Sequence, residues 1–586
     1  MAKREKTRKQ IVGTFVKNKN FGFVIPDNKE LKTDIFIKKS NFKKAKNNQK
    51  VIIEITKPEM KNKKPEGKIV EIVKGENEAD IDMKCLIKEF GLPEEFPKMV
   101  ISELNNINDK IDKKDIPNRV DLRDRCIITI DGEDAKDLDD AIEIEKTKSG
   151  NYKLSVHIAD VSYYVKEGSN LDKEAQYRGT SVYMLDRVIP MLPKKLSNGI
   201  CSLNAGEDRF TLSITMEIDK TGKVLSSEIY KAIVQVKERM SYTDVSKILV
   251  GANKKLLKRY ENYIEVFKLM YELSQILKKK RIKDGSLELD IPESKIILDK
   301  NGTAVDVKKY ETTLANDIIE QFMLIANEQI AEKFFWLDAP FIYRVHEIPD
   351  IEKIKDLNKF LFGLGYHVKC KKDAIYPKAF CLVLEKAKDT PEEKIVSNLI
   401  LRTLKQARYE NENKGHFGLA SRYYCHFTSP IRRYPDLFIH RVISKYLINN
   451  YDVEESEKEK LKRIAKKQAE LSSKRERTAQ TAEREASNMK KAEYMMSKIG
   501  KEYKGIISGV TSFGIFVELD NTVEGMIRLD NLGNDNYIYQ EESKTIIGKR
   551  TKELFSLGDK IRIRVIEANK QLRRVGFERI ENKKKK

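Results

Sequence analysis

Thr129-Ile130-Asp131-Gly132-Glu133-Asp134-Ala135-Lys136-Asp137-Leu138-Asp139-Asp140 crowds carboxylates into a short stretch, among them Asp131, Asp137, Asp139 and Asp140. An apolar run, Ile127-Ile128-Thr129-Ile130, precedes it, and an alternating one, Ala141-Ile142-Glu143-Ile144-Glu145, follows. The pattern predicts strand, acidic loop, strand. Carboxylates this close raise one another's pKa unless something positive sits between them. A hard divalent cation with oxygen ligands does this best, and Mg²⁺ takes one or two carboxylates together with waters and phosphates. Two such ions about 4 Å apart can drive phosphodiester hydrolysis. Two other readings compete: a solvated acidic turn, and a calcium loop. The second lacks the alternating ligands and closing Glu of an EF-hand.

Composition narrows the class. The chain has 586 residues and a net charge of +22, enough length for about four domains. The positive balance points to a polyanionic partner, most simply nucleic acid. A basic exterior around an acidic metal pocket is what a nuclease requires. Six scattered cysteines with no C-x-x-C pair argue against a zinc site or disulfide frame and suit a reducing compartment. The basic stretch Met1 to Gln10 is followed by no apolar run, so a secretory signal is not expected. No run approaches the roughly 20 apolar residues that span a bilayer. The expectation is a soluble, cytoplasmic protein with no membrane partner.

Outward from the acidic loop, five segments emerge. Residues 1–75 show short alternating stretches, as in a small barrel. Phe21-Gly22-Phe23-Val24 puts two rings on one strand face, and Asp34-Ile35-Phe36-Ile37 adds a third. Exposed rings stack bases; buried ones fill a barrel. The Phe-Gly-Phe pair resembles cold-shock domains, which favours RNA contact through Phe21, Phe23 and Phe36. A loop, Lys57 to Lys68, then leads to a last strand ending at Val73. Residues 76–118 form a partly helical connector. Residues 119–500 mix strands and helices, with helices expected over 253–280 and 313–335 and a long charged helix from Glu455 to Gly500. Its Ala479, Ala482, Ala486 and Met489 at helical spacing suggest that it lies on the core; a freestanding helix fits nearly as well. Residues 501–580, with Gly509-Val510-Thr511-Ser512-Phe513-Gly514-Ile515-Phe516, resemble the RNA-binding OB module repeated in the largest small-subunit ribosomal protein. Phe513 and Phe516 are its candidate stacking rings, with Tyr537 a weaker one. A basic tail, 581–586, closes the chain.

Several long blocks now resemble one family. The loop from Ile130 to Ala141 is similar to the active-site signature of the ribonuclease II/ribonuclease R (RNB) exoribonucleases. So are His157-Ile158-Ala159-Asp160-Val161-Ser162, Arg178-Gly179-Thr180-Ser181-Val182-Tyr183, Ile189-Pro190-Met191-Leu192-Pro193 and His426-Phe427-Thr428-Ser429-Pro430-Ile431-Arg432-Arg433-Tyr434. The resemblance is nearest to ribonuclease R and leaves little room for the solvated-turn reading. It implies an α+β multidomain protein, a mixed α/β core flanked by a cold-shock-like barrel and a C-terminal OB barrel. It implies a processive 3′-to-5′ exoribonuclease that releases nucleoside 5′-monophosphates with Mg²⁺.

By that resemblance Asp131, Asp137, Asp139 and Asp140 bind the metal, with Asp139 essential for chemistry. Arg432 approaches the scissile phosphate, where a planar guanidinium suits developing charge, with Arg433 the runner-up. Tyr183 stacks on the terminal base, and Glu320 positions the terminal nucleotide. Where relatives often place a second clamping Phe, Gly285-Ser286-Leu287-Glu288-Leu289-Asp290 has Leu289. His157 and His426 are expected to be structural. Implied partners are single-stranded RNA and structured RNA with 3′ overhangs, with an RNA helicase or the ribosome as further candidates and a monomer as the default state. The family commonly carries a helical domain and two cold-shock modules before the core; this chain accommodates one module, which resembles the second. Rival readings are a strictly single-strand-specific enzyme, a non-catalytic RNA-binding regulator, and an endonuclease or DNA-directed nuclease.

Overall fold

The computed structural model describes residues 10–581 except 28–30, 32, 61–63, 290–292, 371–374, 391 and 542. The Lys583 to Lys586 tail, most of the Met1 to Gln10 stretch and Asp290 lie outside the described residues.

Strands β1 (Gln10–Lys17), β2 (Phe21–Pro26), β3 (Ile35–Lys38), β4 (Lys50–Lys57) and β5 (Glu66–Ile72) close a barrel in the order β1-β2-β3-β5-β4. Alternation puts Phe15, Val24, Ile35, Ile37, Val51 and Ile53 inside. Gly22 is dictated by that core, because a Cβ there would stand 2.4 Å from the Phe15 ring. The connector folds as α1 (Glu78–Glu89) and α2 (Lys98–Leu104). Asn77 caps α1 by accepting from the Asp80 N–H.

The middle region is built on a seven-stranded sheet. Its strands are β6 (Val120–Asp121), β7 (Ile128–Asp131), β8 (Asp140–Lys146) and β9 (Tyr152–Ala159), then β12 (Asp208–Ile218), β13 (Val224–Gln235) and β14 (Glu238–Ser241), ordered β14-β7-β8-β9-β12-β13-β6. Between β9 and β12 lies a short ribbon of β10 (Val182–Tyr183) and β11 (Val188–Ile189). Helices α3 (Ile264–Asp284), α4 (Leu314–Trp336) and α5 (Tyr434–Ile448) complete the main core. The helix expected over 253–280 is interrupted. A short helix, Lys254–Arg259, and a 3₁₀ turn, Glu261–Tyr263, precede α3. Tyr260 leaves helical geometry at φ −109°, ψ 25° and is buried in the core cluster. Burial of that ring outweighs the modest helix propensity of the segment.

The last long helix, α6 (Glu455–Met496), runs 42 residues and is not freestanding. Ala479, Ala482, Ala486 and Met489 pack against Val182, Met184 and Ile189 of the ribbon and against Met83, Leu86 and Ile87 of α1. A second closed barrel, of five strands between Glu502 and Arg579, encloses Ile507, Ile515, Val517, Ile527, Ile563 and Phe577. Its core takes in Ala492 and Met495 from the end of α6. None of the described helices is long and apolar enough to cross a membrane.

Candidate active site

Asp131 is the last residue of β7 and Asp140 the first of β8, so adjacent strands deliver both to the same sheet edge. The loop between them is pinned from beneath. Leu138 is buried; its N–H donates to the Ser202 hydroxyl at 3.1 Å, and that hydroxyl donates to the Lys136 carbonyl at 2.9 Å. Arg239, on β14, donates to the carbonyls of Glu133 at 2.9 Å and Ala135 at 2.6 Å. The Asp139 carbonyl accepts from the Ala159 N–H at 2.9 Å.

Each aspartate has a distinct setting. Asp139 Oδ1 accepts from the Ile431 N–H at 2.8 Å; its buried Oδ2 makes no hydrogen bond and lies 3.6 Å from Arg432 Nε. Burial holds its pKa well above the usual carboxylate range against the pull of Arg432. Burial, then the Asp131 charge, lifts Asp140 to about 7. Asp131 is raised by burial, although the Gly132 N–H donates to its Oδ1 at 2.7 Å. Asp137 Oδ2 accepts from the Tyr183 hydroxyl at 2.8 Å. The cluster thus carries negative charge that protein partners only partly compensate. Among the described residues no three His, Cys, Asp or Glu side chains converge tightly enough to hold one metal ion. Carboxylate oxygens are hard donors that suit a divalent cation whose remaining ligands come from water and phosphate. The orphaned, buried Asp139 Oδ2 is the atom that most calls for a cation.

The two arginines separate. Arg432 turns toward Asp139 and donates to the Ser429 hydroxyl at 2.9 Å. Arg433 is turned inward, donating to Asp436 Oδ1 at 2.7 Å. The Arg432 carbonyl accepts from the Ser181 N–H at 2.9 Å, which ties the arginine loop to the ribbon carrying Tyr183. Tyr183 itself is 40% exposed. Glu320, on α4, lines a cavity of about 490 Å³ with Lys278, Arg281, Tyr310 and Leu289. Leu289 thus faces the same cavity as an aliphatic wall, with no second ring at that position. His157 is buried with Nδ1 on the Ser213 hydroxyl, and His426 bonds the Tyr409 hydroxyl.

On the N-terminal barrel Phe21, Phe23 and Phe36 form one outward cluster, with ring centroids 5.6 to 6.0 Å apart, and Lys64 Nζ is 4.9 Å from the Phe23 ring centre. Phe513 is 57% exposed and meets Phe516 edge-on at 6.4 Å. Tyr537 packs against Phe555.

Sequence reasoning missed Ser202, Arg239 and Glu483. Glu483 accepts from the Tyr183 N–H at 2.8 Å. Only its place beside the alanine stripe of α6 could have drawn attention to it.

Residues 119–449 match the RNB domain, 23–97 a cold shock domain and 497–580 an S1 RNA binding domain. The chain belongs to the RNB family of ribonucleases. Within that family it is similar to ribonuclease R. The Thermotoga maritima ribonuclease R is 44% identical over 581 residues, covering 98% of this chain and 81% of the relative. The structure of Mycoplasma genitalium ribonuclease R with ribose-methylated single-stranded RNA superposes with a TM-score of 0.92 at 27% identity, over 98% of this chain and 90% of that one. The same protein with double-stranded RNA gives 0.87 at 26%, over 98% and 96%. The chain is an RNA-binding, metal-dependent 3′-to-5′ exoribonuclease.

Proposed function

We propose that this enzyme processively degrades single-stranded RNA, and structured RNA with a 3′ overhang, to nucleoside 5′-monophosphates with Mg²⁺. The observation that carries the reading is the hydrogen bond from Tyr183 to Asp137. The Tyr183 ring is one hydrogen bond from the carboxylates, so a terminal base stacked on it sets its phosphate beside them. Asp131, Asp137, Asp139 and Asp140 would hold the cations, directly or through water. A pair of Mg²⁺ ions supplies activation of the attacking water and stabilisation of the leaving oxygen. Arg432 donates to the phosphoryl oxygens as charge grows on them, and its tether to Ser429 limits reorganisation. Stacking on Tyr183 tolerates every base, while 2′-hydroxyl contacts select RNA. The exposed rings Phe21 and Phe513, with half-buried Phe23, Phe36 and Phe516 beside them, gather the strand upstream, and Glu320 orients the terminal nucleotide from its cavity. We take the enzyme to act as a cytoplasmic monomer, with a helicase or the ribosome as occasional partner.

Incubating uniformly labelled RNA with Mg²⁺ and with chelator tests this. Mononucleotides should appear from the 3′ end only with metal, and a 3′-blocked strand and a DNA control should persist. A strictly single-strand-specific enzyme is the second reading, since stacking on the half-exposed Tyr183 ring needs an unpaired terminal base. The solved complex of the Mycoplasma genitalium relative with double-stranded RNA favours the broader substrate range. A duplex with a 3′ overhang decides: passage through the junction supports the broader range, and stalling the narrower one.

A further inference from the structure

The ring of Tyr183 sits on a ribbon too small to hold itself. β10 and β11 pair only Val182 with Ile189 and Tyr183 with Val188, and an isolated two-stranded hairpin is marginal in water. The ribbon is held from α6. Its apolar side packs on Ala479, Ala482 and Ala486, whose short side chains bring backbone and helix close together. On the same stretch of helix, half-buried Glu483 reaches out, and its Oε1 accepts from the Tyr183 N–H at 2.8 Å. The ring's other end is fixed by the Asp137 contact. Glu483 also feels the Arg432 guanidinium.

We propose that Glu483 is a positioning residue that sets the depth and orientation of the Tyr183 ring, and so how short an RNA end the enzyme can still grip. The inference rests on the reading of Tyr183 as the stacking ring. It concerns α6, the helix that leads into the C-terminal barrel, and none of the family blocks identified above includes it. Removing this hydrogen bond takes away the helix's polar hold on the ring-bearing strand, while Asp139 keeps its own contact to the Ile431 N–H. The loss should fall on the final, weakly held nucleotides more than on long RNA, whose grip is spread over both barrels.

The experiment follows limit products and short-oligonucleotide kinetics of the full-length enzyme on 5′-labelled single strands. Wild type is compared with Tyr183→Ala, Glu483→Ala, Glu483→Gln and Glu483→Asp, with thermal unfolding as the folding control. Glu483→Ala should lengthen the limit product as Tyr183→Ala does and raise KM for short oligonucleotides about tenfold. Glu483→Gln keeps an acceptor oxygen at the same reach and should restore the wild-type limit. Glu483→Asp keeps the charge but loses reach and should behave as the alanine variant. A wild-type limit product for both Glu483→Ala and Glu483→Asp, with Tyr183→Ala shifted, overturns the proposal. Loss of function in Glu483→Gln beside wild-type behaviour in Glu483→Asp also overturns it, since charge toward Arg432 would then be what matters. An unchanged limit product in Tyr183→Ala removes the stacking reading itself, a separate failure. Should the alanine variant not fold, the Gln and Asp pair still decides.

Discussion

Asp139 and Arg432 pair a buried carboxylate with an open guanidinium. A carboxylate shut off from water with one oxygen unpaired is costly unless a cation reaches it. Asp139→Asn keeps the shape and removes the charge, so RNA hydrolysis should fall by at least about a thousandfold, while gel-shift affinity for single-stranded RNA stays near wild type. Degradation at the wild-type rate by that variant would remove the metal assignment. The arginine pair gives a sharper contrast. Arg432→Ala should lower kcat with the melting temperature unchanged, because its guanidinium faces the site. Arg433→Ala leaves Asp436 buried beside an empty place and should cost about 3 kcal/mol of stability, read by denaturant unfolding. Reversed outcomes would exchange their roles. Only the family resemblance ranked these neighbours in sequence; the turn at 429–433 sends one toward Asp139 and the other onto Asp436.

At the scale of elements, the loop Gly415–Ser421 is held by two imidazoles. His416 Nδ1 accepts from the Leu419 N–H, and His346 Nδ1 from the Gly418 N–H, with the rings 5.2 Å apart. Burial, reinforced by His346, depresses His416 to about 3. In the unfolded chain the same group titrates near 6.5, so between these values the unfolded state binds the extra proton. The contribution is present above about 6.5 and is lost as pH falls toward 3, on the order of a few kcal/mol in all. Unfolding free energies from pH 7 to 4 should therefore drop, and His416→Gln should flatten that slope. An unaltered slope would place the acid sensitivity elsewhere. Helix periodicity made α4 and α6 legible, because alternating burial repeats along one chain segment. The break at Tyr260 was not legible, since its cause is a core supplied by distant elements.

Over the whole molecule, and on the proposed reading, the basic surplus and the outward rings divide the work of binding. Phosphate neutralisation makes affinity fall steeply with salt; from 50 to 200 mM a loss of roughly a thousandfold is expected for six or more phosphate contacts. Phe36→Ala should weaken binding by about 1–3 kcal/mol without altering that salt slope. Fluorescence anisotropy on the Asp139→Asn background measures both, and a changed slope with unchanged affinity would contradict the stacking reading. The barrels are not loose appendages. Lys570 of the C-terminal barrel pairs with Asp82 and Glu78 of α1 at 2.7 Å, and Arg573 joins Glu485 of α6 and Glu89 of α1.

The order of modules, the strand–loop–strand frame of the aspartates and the three rings of the first barrel follow from the sequence alone, since local alternation and charge density are properties of short segments. Which carboxylate is driven to a raised pKa, how Arg433 is turned away onto Asp436, that Leu289 lines the Glu320 cavity, and that Glu483 grips the Tyr183 ribbon were decided by the tertiary structure. Desolvation and approach at hydrogen-bond distance arise only where segments far apart in the chain are packed together, and no periodicity within one segment encodes them.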